Sequence, residues 1–413
     1  MDLPSRQELL AAASKHRPLL EKFLKDLIRV PSVHGQESGV QLLVREYFED
    51  LGRHVTEVPM DEELREDPEY TLADTEVPYE GRNNLVIDLG GNGGGRSLIL
   101  NTHSDVVPAG SWEGGFDPTV RDGVLTGRGS VDCKGQIGAV FLMCKLLEEF
   151  NLKPRGKLSA QVVIEEEIGG NGTLSLIRKG YSADGVVVLE GTDLTVCPAN
   201  RGAVWFRATV DGIPVHMARK YEGVSAIEKS MDLIKILHHY ELELAEEAGE
   251  QPLFSEYEHP VQVNVGRMEA GDWPATVPGF SVLEGGVGFL PNRTLGSIKE
   301  DLVSLLKRDE WLSEHGNFEF ARLHNDAYQI PVDHPLVMEM VRSAGNMGID
   351  ARVRGMIASC DARLFNRVGG MPTVVFGAGD IDQAHSRGER VDLGDIALEA
   401  GALLNMACAW CGA

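Results

Sequence analysis

Between residues 84 and 190 short apolar segments alternate with amphipathic ones, and that alternation restricts the chain to a sheet with helices on both faces. Strands are expected at 84–89, from Leu98, at 158–164 and at 185–189, with helices at 135–149 and 172–179 between them. Two helices precede them. Leu9, Leu19, Leu20, Phe23, Leu24 and Leu27 recur on a helical period over 5–28, and Val30-Pro31-Ser32 stops that run. A second helix over 36–52 ends at Gly52. The character changes near residue 196. Strand 204–210, helix 226–240, strands 261–265 and 280–289, helix 297–307 and strand 318–323 follow in the β-α-β-β-α-β order of a ferredoxin-like unit. The first pattern returns at Pro335 and ends in a helix over 394–409. The fold class is therefore α/β. A main domain (1–195 and 330–413) has a mixed, largely parallel sheet flanked by helices, and an α+β ferredoxin-like domain (196–329) is inserted into it.

Charge narrows the partners. With 39 basic and 63 acidic residues the net charge is −24, which argues against nucleic acid or an anionic membrane surface. The N-terminus is charged and amphipathic rather than a basic segment leading into an apolar one, so no signal peptide is expected. No apolar run is long enough to span a bilayer. The six cysteines are few and scattered, which reads as reduced thiols in a cytoplasmic protein. Cys408-Ala-Trp-Cys411 is a CxxC without a second pair to complete a zinc site. Gly90–Gly95 leads into a strand rather than a helix and so is not a phosphate cradle.

The chemistry lies where strands end. Leu98-Ile99-Leu100 runs into His103-Ser104-Asp105, Asp132 sits in a Gly-flanked turn before a helix, Glu165-Glu166-Glu167 ends one strand and Glu190 another, and His385 lies in a late loop. His103, Asp132, Glu167, Glu190 and His385 form a nitrogen–oxygen donor set suited to two divalent ions, zinc first, with cobalt or manganese as alternatives. One carboxylate can bridge such a pair. Asp105 shares a strand face with His103 and is placed to accept that imidazole's other N–H. Glu166 is placed to act as general base. His238, His239, His315, His324 and His334 read as structural.

These segments resemble the M20 metallopeptidase and deacylase family, which includes acetylornithine deacetylases, succinyl-diaminopimelate desuccinylases, aminoacylases and carboxypeptidases. The resemblance rests on Thr102–Pro108, Gly127–Gly135, Glu166–Gly170, Glu190-Gly191-Thr192 and Ala384-His385. The spacings 103→132 (29), 132→167 (35) and 167→190 (23) agree with the family. One such motif is weak; five in order are strong. The resemblance implies that Asp132 bridges two metals, with His103 and Glu190 on one and Glu167 and His385 on the other. It implies a cis peptide at Asp132–Cys133. It also implies that His216, in Asp211-Gly212-Ile213-Pro214-Val215-His216, reaches a partner subunit's site and steadies an oxyanion. Arg363 resembles a residue that meets a substrate carboxylate, and 196–329 a homodimerisation domain. Glu at position 190 leans towards deacylases. Three positions depart from the family: Cys360 replaces a commoner Gly or Thr, Ala275 a commoner Asn, and Gly288 a commoner Arg. The expected activity is metal-dependent removal of an acyl group from a small N-acylated amino acid or related amide. The rivals are a dipeptidase or carboxypeptidase, hydrolysis of another C–N bond such as that of an aryl amine, and a non-catalytic metal-binding protein.

Overall fold

The computed structural model describes residues 3–412. Nine strands form the large sheet. Across it lie His54–Pro59, Asn83–Gly90, Leu158–Val163, Leu98–His103, Gly185–Val188, Thr373–Val375, Val196–Asn200 and Tyr328–Gln329, with Val353–Met356 also on Val196–Asn200. The four strands from Leu158–Val163 to Thr373–Val375 run parallel, and antiparallel pairs flank them on both sides. Every residue of those four strands is buried. A parallel centre is covered by helices on both faces, which explains why these segments have no solvent-facing side and why even their polar residues Asn101, Thr102, Ser159 and Gln161 are buried.

Helix Arg6–Arg29 begins in a capping box: Ser5 accepts from the Glu8 amide while the Glu8 carboxylate accepts from the Ser5 amide. Its buried stripe meets helix Lys134–Glu149, where the Phe23 and Phe141 ring centroids lie 4.5 Å apart and Phe48 closes the cluster. Such aromatic pairs add about 0.5–1.5 kcal/mol beyond the area they bury. Helix Leu393–Cys411 is buried along nearly its whole length. Cys408 and Cys411 are free thiols packed into the main core, and burial pushes them up to about 11 and about 12. They stay protonated and serve as packing.

The second sheet orders Gln262–Ala270, Phe280–Phe289, Gly202–Asp211 and Gly316–Glu319, all antiparallel. Numbered along the chain that order is 2-3-1-4, the ferredoxin-like arrangement. Gly202–Asp211 alternates buried and open positions: Val204, Phe206, Ala208 and Val210 face helices Ala226–Ala248 and Leu295–Leu305, and Trp205 and Arg207 face away. Strand Val196–Asn200, counted with the inserted unit on sequence grounds, pairs within the large sheet, so the crossing comes at Arg201. Two further differences stand out. The pair Thr119–Arg121 and Val124–Thr126, which with Arg390–Asp392 makes a small sheet, and the edge strand His54–Pro59 carry no clear apolar alternation. The segment after Leu158–Val163 is a short helix, Glu166–Gly169, rather than a strand end.

Candidate metal centre

Neighbouring parallel strands end on the same side of a sheet, so whatever follows each of them converges there. His103 closes Leu98–His103, Glu165–Glu167 follow Leu158–Val163, Glu190 follows Gly185–Val188, and the segment leading to His385 follows Thr373–Val375. Asp132 comes to the same edge in the turn before helix Lys134–Glu149.

Two groups of ligand atoms result. His103, Asp132, Cys133 and Glu190 form one, and Asp132, Glu167 and His385 the other, with the atoms in each within 4.8 Å of one another. Asp132 belongs to both. Its Oδ1 lies 2.9 Å from His103 Nε2 and its Oδ2 3.1 Å from His385 Nε2. Glu190 Oε1 is 3.8 Å from His103 Nε2, and Glu167 Oε2 is 3.0 Å from His385 Nε2. The peptide Asp132–Cys133 is cis. Glu166 Oε2 stands 4.0 Å from His103 Nε2, next to both groups.

The electrostatics are those of a crowded anionic pocket. Burial and its carboxylate neighbours push Glu190 up to about 8 and Glu167 to about 7, and hold Glu166 well above the usual range. Burial would also raise Asp132, but the two imidazoles outweigh it and lower it. Hydrogen bonds to Asp132 and Glu167 lift His385 to about 10. Carboxylates and imidazoles gathered this tightly suit a bound cation.

Asp105 lies beside His103 and also reaches the glutamate turn. His103 Nδ1 is 3.0 Å from the Asp105 carbonyl oxygen and 3.5 Å from its carboxylate. The carboxylate also accepts from the amides of Glu166 (3.3 Å) and Glu167 (3.1 Å), so it aims the turn that carries both glutamates. Arg363 reaches the same turn. It is buried, with Nη2 donating to the Gly169 carbonyl at 3.0 Å and Nη1 to Glu69 at 3.2 Å. Its guanidinium clamps the end of the Glu166–Gly169 helix rather than reaching open space. His216 is exposed on the inserted unit, where its Nδ1 accepts from the Ala218 amide, and it makes no contact with the cluster of its own chain.

Further residues surround these ligands. Glu165, at φ +59°, holds an αL conformation that an L-residue adopts at some cost. It is fixed there by Arg82 (2.7 Å), Tyr79 (2.8 Å), Asn171 (2.9 Å) and His34 (3.2 Å). Arg82 is held in turn by both oxygens of Glu37. On the other flank Glu389 accepts from the amides of Val131 (2.9 Å) and Asp132 (3.2 Å) and from Arg128 Nη1 (2.5 Å). The Cys133 thiol donates to Glu190 Oε2 at 2.8 Å. Glu37, Tyr79, Arg82, Asn171 and Glu389 lie outside every motif and are ordinary charged or polar positions in sequence, whereas Arg128 and Cys133 lie within Gly127–Gly135.

A family model described as peptidase family M20/M25/M40 matches residues 99–408. An N-formyl-4-amino-5-aminomethyl-2-methylpyrimidine deformylase of Halalkalibacterium halodurans is 27% identical, covering 98% of this chain and 97% of its own. An acetylornithine deacetylase of Myxococcus xanthus is 29% identical over 80% of this chain and 84% of its own. The fold is also that of a tripeptidase from Staphylococcus aureus, with a TM-score of 0.75, 22% identity and coverage of 95% of this chain and 98% of that one.

Proposed function

Because the chain belongs to peptidase family M20/M25/M40, we propose that it hydrolyses the amide C–N bond of a small N-acylated amino acid or related amide at a two-metal centre. The observation that carries this reading is the sharing of Asp132, which turns one carboxylate oxygen to His103 and the other to His385. In this reading His103 and Glu190 complete one site, Glu167 and His385 the other. The donor set of imidazoles and carboxylates fits zinc first, with cobalt or manganese as alternatives. When bound, such ions acidify water and polarise the scissile carbonyl.

The protein's own groups do the rest. Glu166 takes a proton from the attacking water and passes it to the leaving amine. Asp105 acts as a positioning residue, fixing the backbone of Glu166 and Glu167. His216, exposed on the inserted domain of residues 196–329, extends to the site of a partner subunit and donates a hydrogen bond to the oxyanion. Ile213, Met217, Tyr221 and Trp273, exposed near it, support a homodimer through that domain. Arg363 holds the Glu166–Gly169 helix, and through it the base. Six unpaired, buried thiols support a reducing, cytoplasmic setting.

The two curated relatives are named for removing formyl and acetyl groups, which favours acyl transfer to water over peptide cleavage. The same residues would serve a dipeptidase, a carboxypeptidase or a hydrolase of an aryl amide. A panel of N-formyl, N-acetyl and N-succinyl amino acids, dipeptides and aryl amides, offered to the metal-loaded protein, separates these readings. Glu166→Gln is expected to keep its metal and lose turnover by about 10²–10⁴-fold. Undiminished turnover in that variant would remove Glu166 from the chemistry.

A further inference from the structure

The first group of ligand atoms holds one donor that the hydrolase reading leaves idle. Cys133 Sγ lies with donor atoms of His103, Asp132 and Glu190, all within 4.8 Å of one another. All four residues are buried, Cys133 completely. The second group is different. It has three residues, Asp132, Glu167 and His385, and the His385 side chain is 52% exposed. The other cysteines join no such group among the described residues.

Cys133 is the N-cap residue of helix Lys134–Glu149, yet its side chain makes no capping bond. The sulfur faces oxygen instead: Glu190 Oε2 at 2.8 Å and the Leu189 carbonyl at 3.5 Å. A thiol has one proton to give, and two acceptors turned towards it are better served by a cation. The spacing agrees. Donors around a zinc ion stand about 3.3–3.7 Å apart when its bonds are 2.0–2.3 Å long. The distances from His103 Nε2, 2.9 Å to Asp132 Oδ1 and 3.8 Å to Glu190 Oε1, bracket that value. The start of a 16-residue helix also favours a thiolate, because unpaired backbone N–H groups gather partial positive charge there.

We propose that Cys133 is a fourth protein ligand of the metal held by His103, Asp132 and Glu190. That site is then sulfur-bearing, enclosed and tight, and the Asp132–Glu167–His385 site is the open, exchangeable one. As the ion enters, the S–H bond breaks, a sulfur lone pair binds the metal and the proton leaves to water. A thiolate suits zinc and the softer cadmium, whereas manganese prefers oxygen. The two sites thus select different ions. The inference rests on the two-metal reading and deepens it by separating the sites chemically.

Zinc-edge X-ray absorption of the unaltered protein reads the ligand directly. With one equivalent of zinc, one sulfur at about 2.3 Å per zinc is expected. A second equivalent fills the open site and should halve that average. Cobalt-loaded protein should show a sulfur-to-metal charge-transfer band that Cys133→Ser removes. Serine keeps a hydrogen-bond donor facing Glu190, so it separates ligation from hydrogen bonding. The serine variant should bind cadmium at least about tenfold more weakly, since even groups behind the ligands are worth about 10–100-fold in metal affinity. Manganese, held by oxygen donors, should bind it within about twofold of the parent. If Cys133→Ser does not fold, the absorption spectrum of the parent carries the test. Zinc held by nitrogen and oxygen alone, or cadmium affinity unchanged by serine, overturns the sulfur ligand and leaves the hydrolase reading standing. Zinc bound through sulfur in a protein that hydrolyses no amide upholds the ligand and sinks the hydrolase reading. A protein that takes up no zinc overturns both.

Discussion

Replacing Glu389 by alanine strikes the metal centre from behind. The side chain is fully buried and reaches nothing outside the protein, yet it accepts from Arg128 and from the amides of Val131 and Asp132. Truncation strands a guanidinium that is only 3% exposed and frees the backbone of Asp132. Removing one partner of a buried ion pair costs about 3–5 kcal/mol. Each amide left dry and unpaired costs about 1–3 kcal/mol. The contacts share one acceptor and do not add, so the expected loss is about 4 kcal/mol. In a unit of this size about 1 kcal/mol moves the melting temperature by roughly 2–4 °C, which predicts a fall of roughly 8–16 °C. Glu389→Gln keeps an oxygen facing both amides and should lose about half as much. Differential scanning fluorimetry reads the stability, and zinc calorimetry reads the loosened Asp132 turn as weaker binding. If Glu389→Ala melts within about 2 °C of the parent and binds zinc equally well, the anchoring role is wrong.

Three further outcomes are expected. Burial alone would raise Glu165, but His34, Arg82, Asn171 and Tyr79 outweigh it and bring it down to about 2 from an ordinary 4.5. A depressed acid stabilises the fold above its unfolded value and loses that contribution as pH falls from 4.5 towards 2. The shift is worth about 3 kcal/mol, so chemical melts of Glu165→Gln should lack part of the parent's acid-side slope; identical slopes would refute it. Arg363→Lys is expected to lower kcat with KM changed less than about twofold, because the guanidinium holds Gly169; a large rise in KM alone would return it to a substrate contact. His216→Ala is expected to lose about 10²–10³-fold in kcat. Mixing that protein with Glu166→Gln should restore turnover by uniting an intact base and an intact histidine across a dimer; no recovery after subunit exchange would argue against a shared site.

The residues legible in the sequence are those whose neighbours in the chain determine their place. His103, Glu167 and Glu190 each follow an apolar strand, and parallel pairing carries all strand ends to one edge, so their convergence follows from the order of elements. The ferredoxin-like unit was legible because strands buried on one face alternate, as Val204–Val210 does. The edge strand His54–Pro59 was not, since a strand open to water on most positions has no periodic signal. The supporting shell was equally silent. Arg128 and Glu389 lie 261 positions apart, and Glu37, Arg82 and Glu165 meet only when two helices and a loop dock. Asp105 shows what face arguments leave out: alternation put its side chain on the His103 side, where it lies 3.5 Å from Nδ1, but gave no sign that the carboxylate also accepts from the Glu166 and Glu167 amides. The partners of Arg363, Gly169 and Glu69, were equally silent, because an arginine's burial and its partners depend on packing that no local pattern encodes.

The central claim is that Asp132 joins two metal sites, and anomalous diffraction from crystals of zinc-loaded protein measures it directly. Two peaks about 3.5–4 Å apart, one beside His103 and Glu190, one beside Glu167 and His385, and both against Asp132, are the predicted result. A map with no peak at Asp132, or with metal bound only elsewhere, would contradict the account.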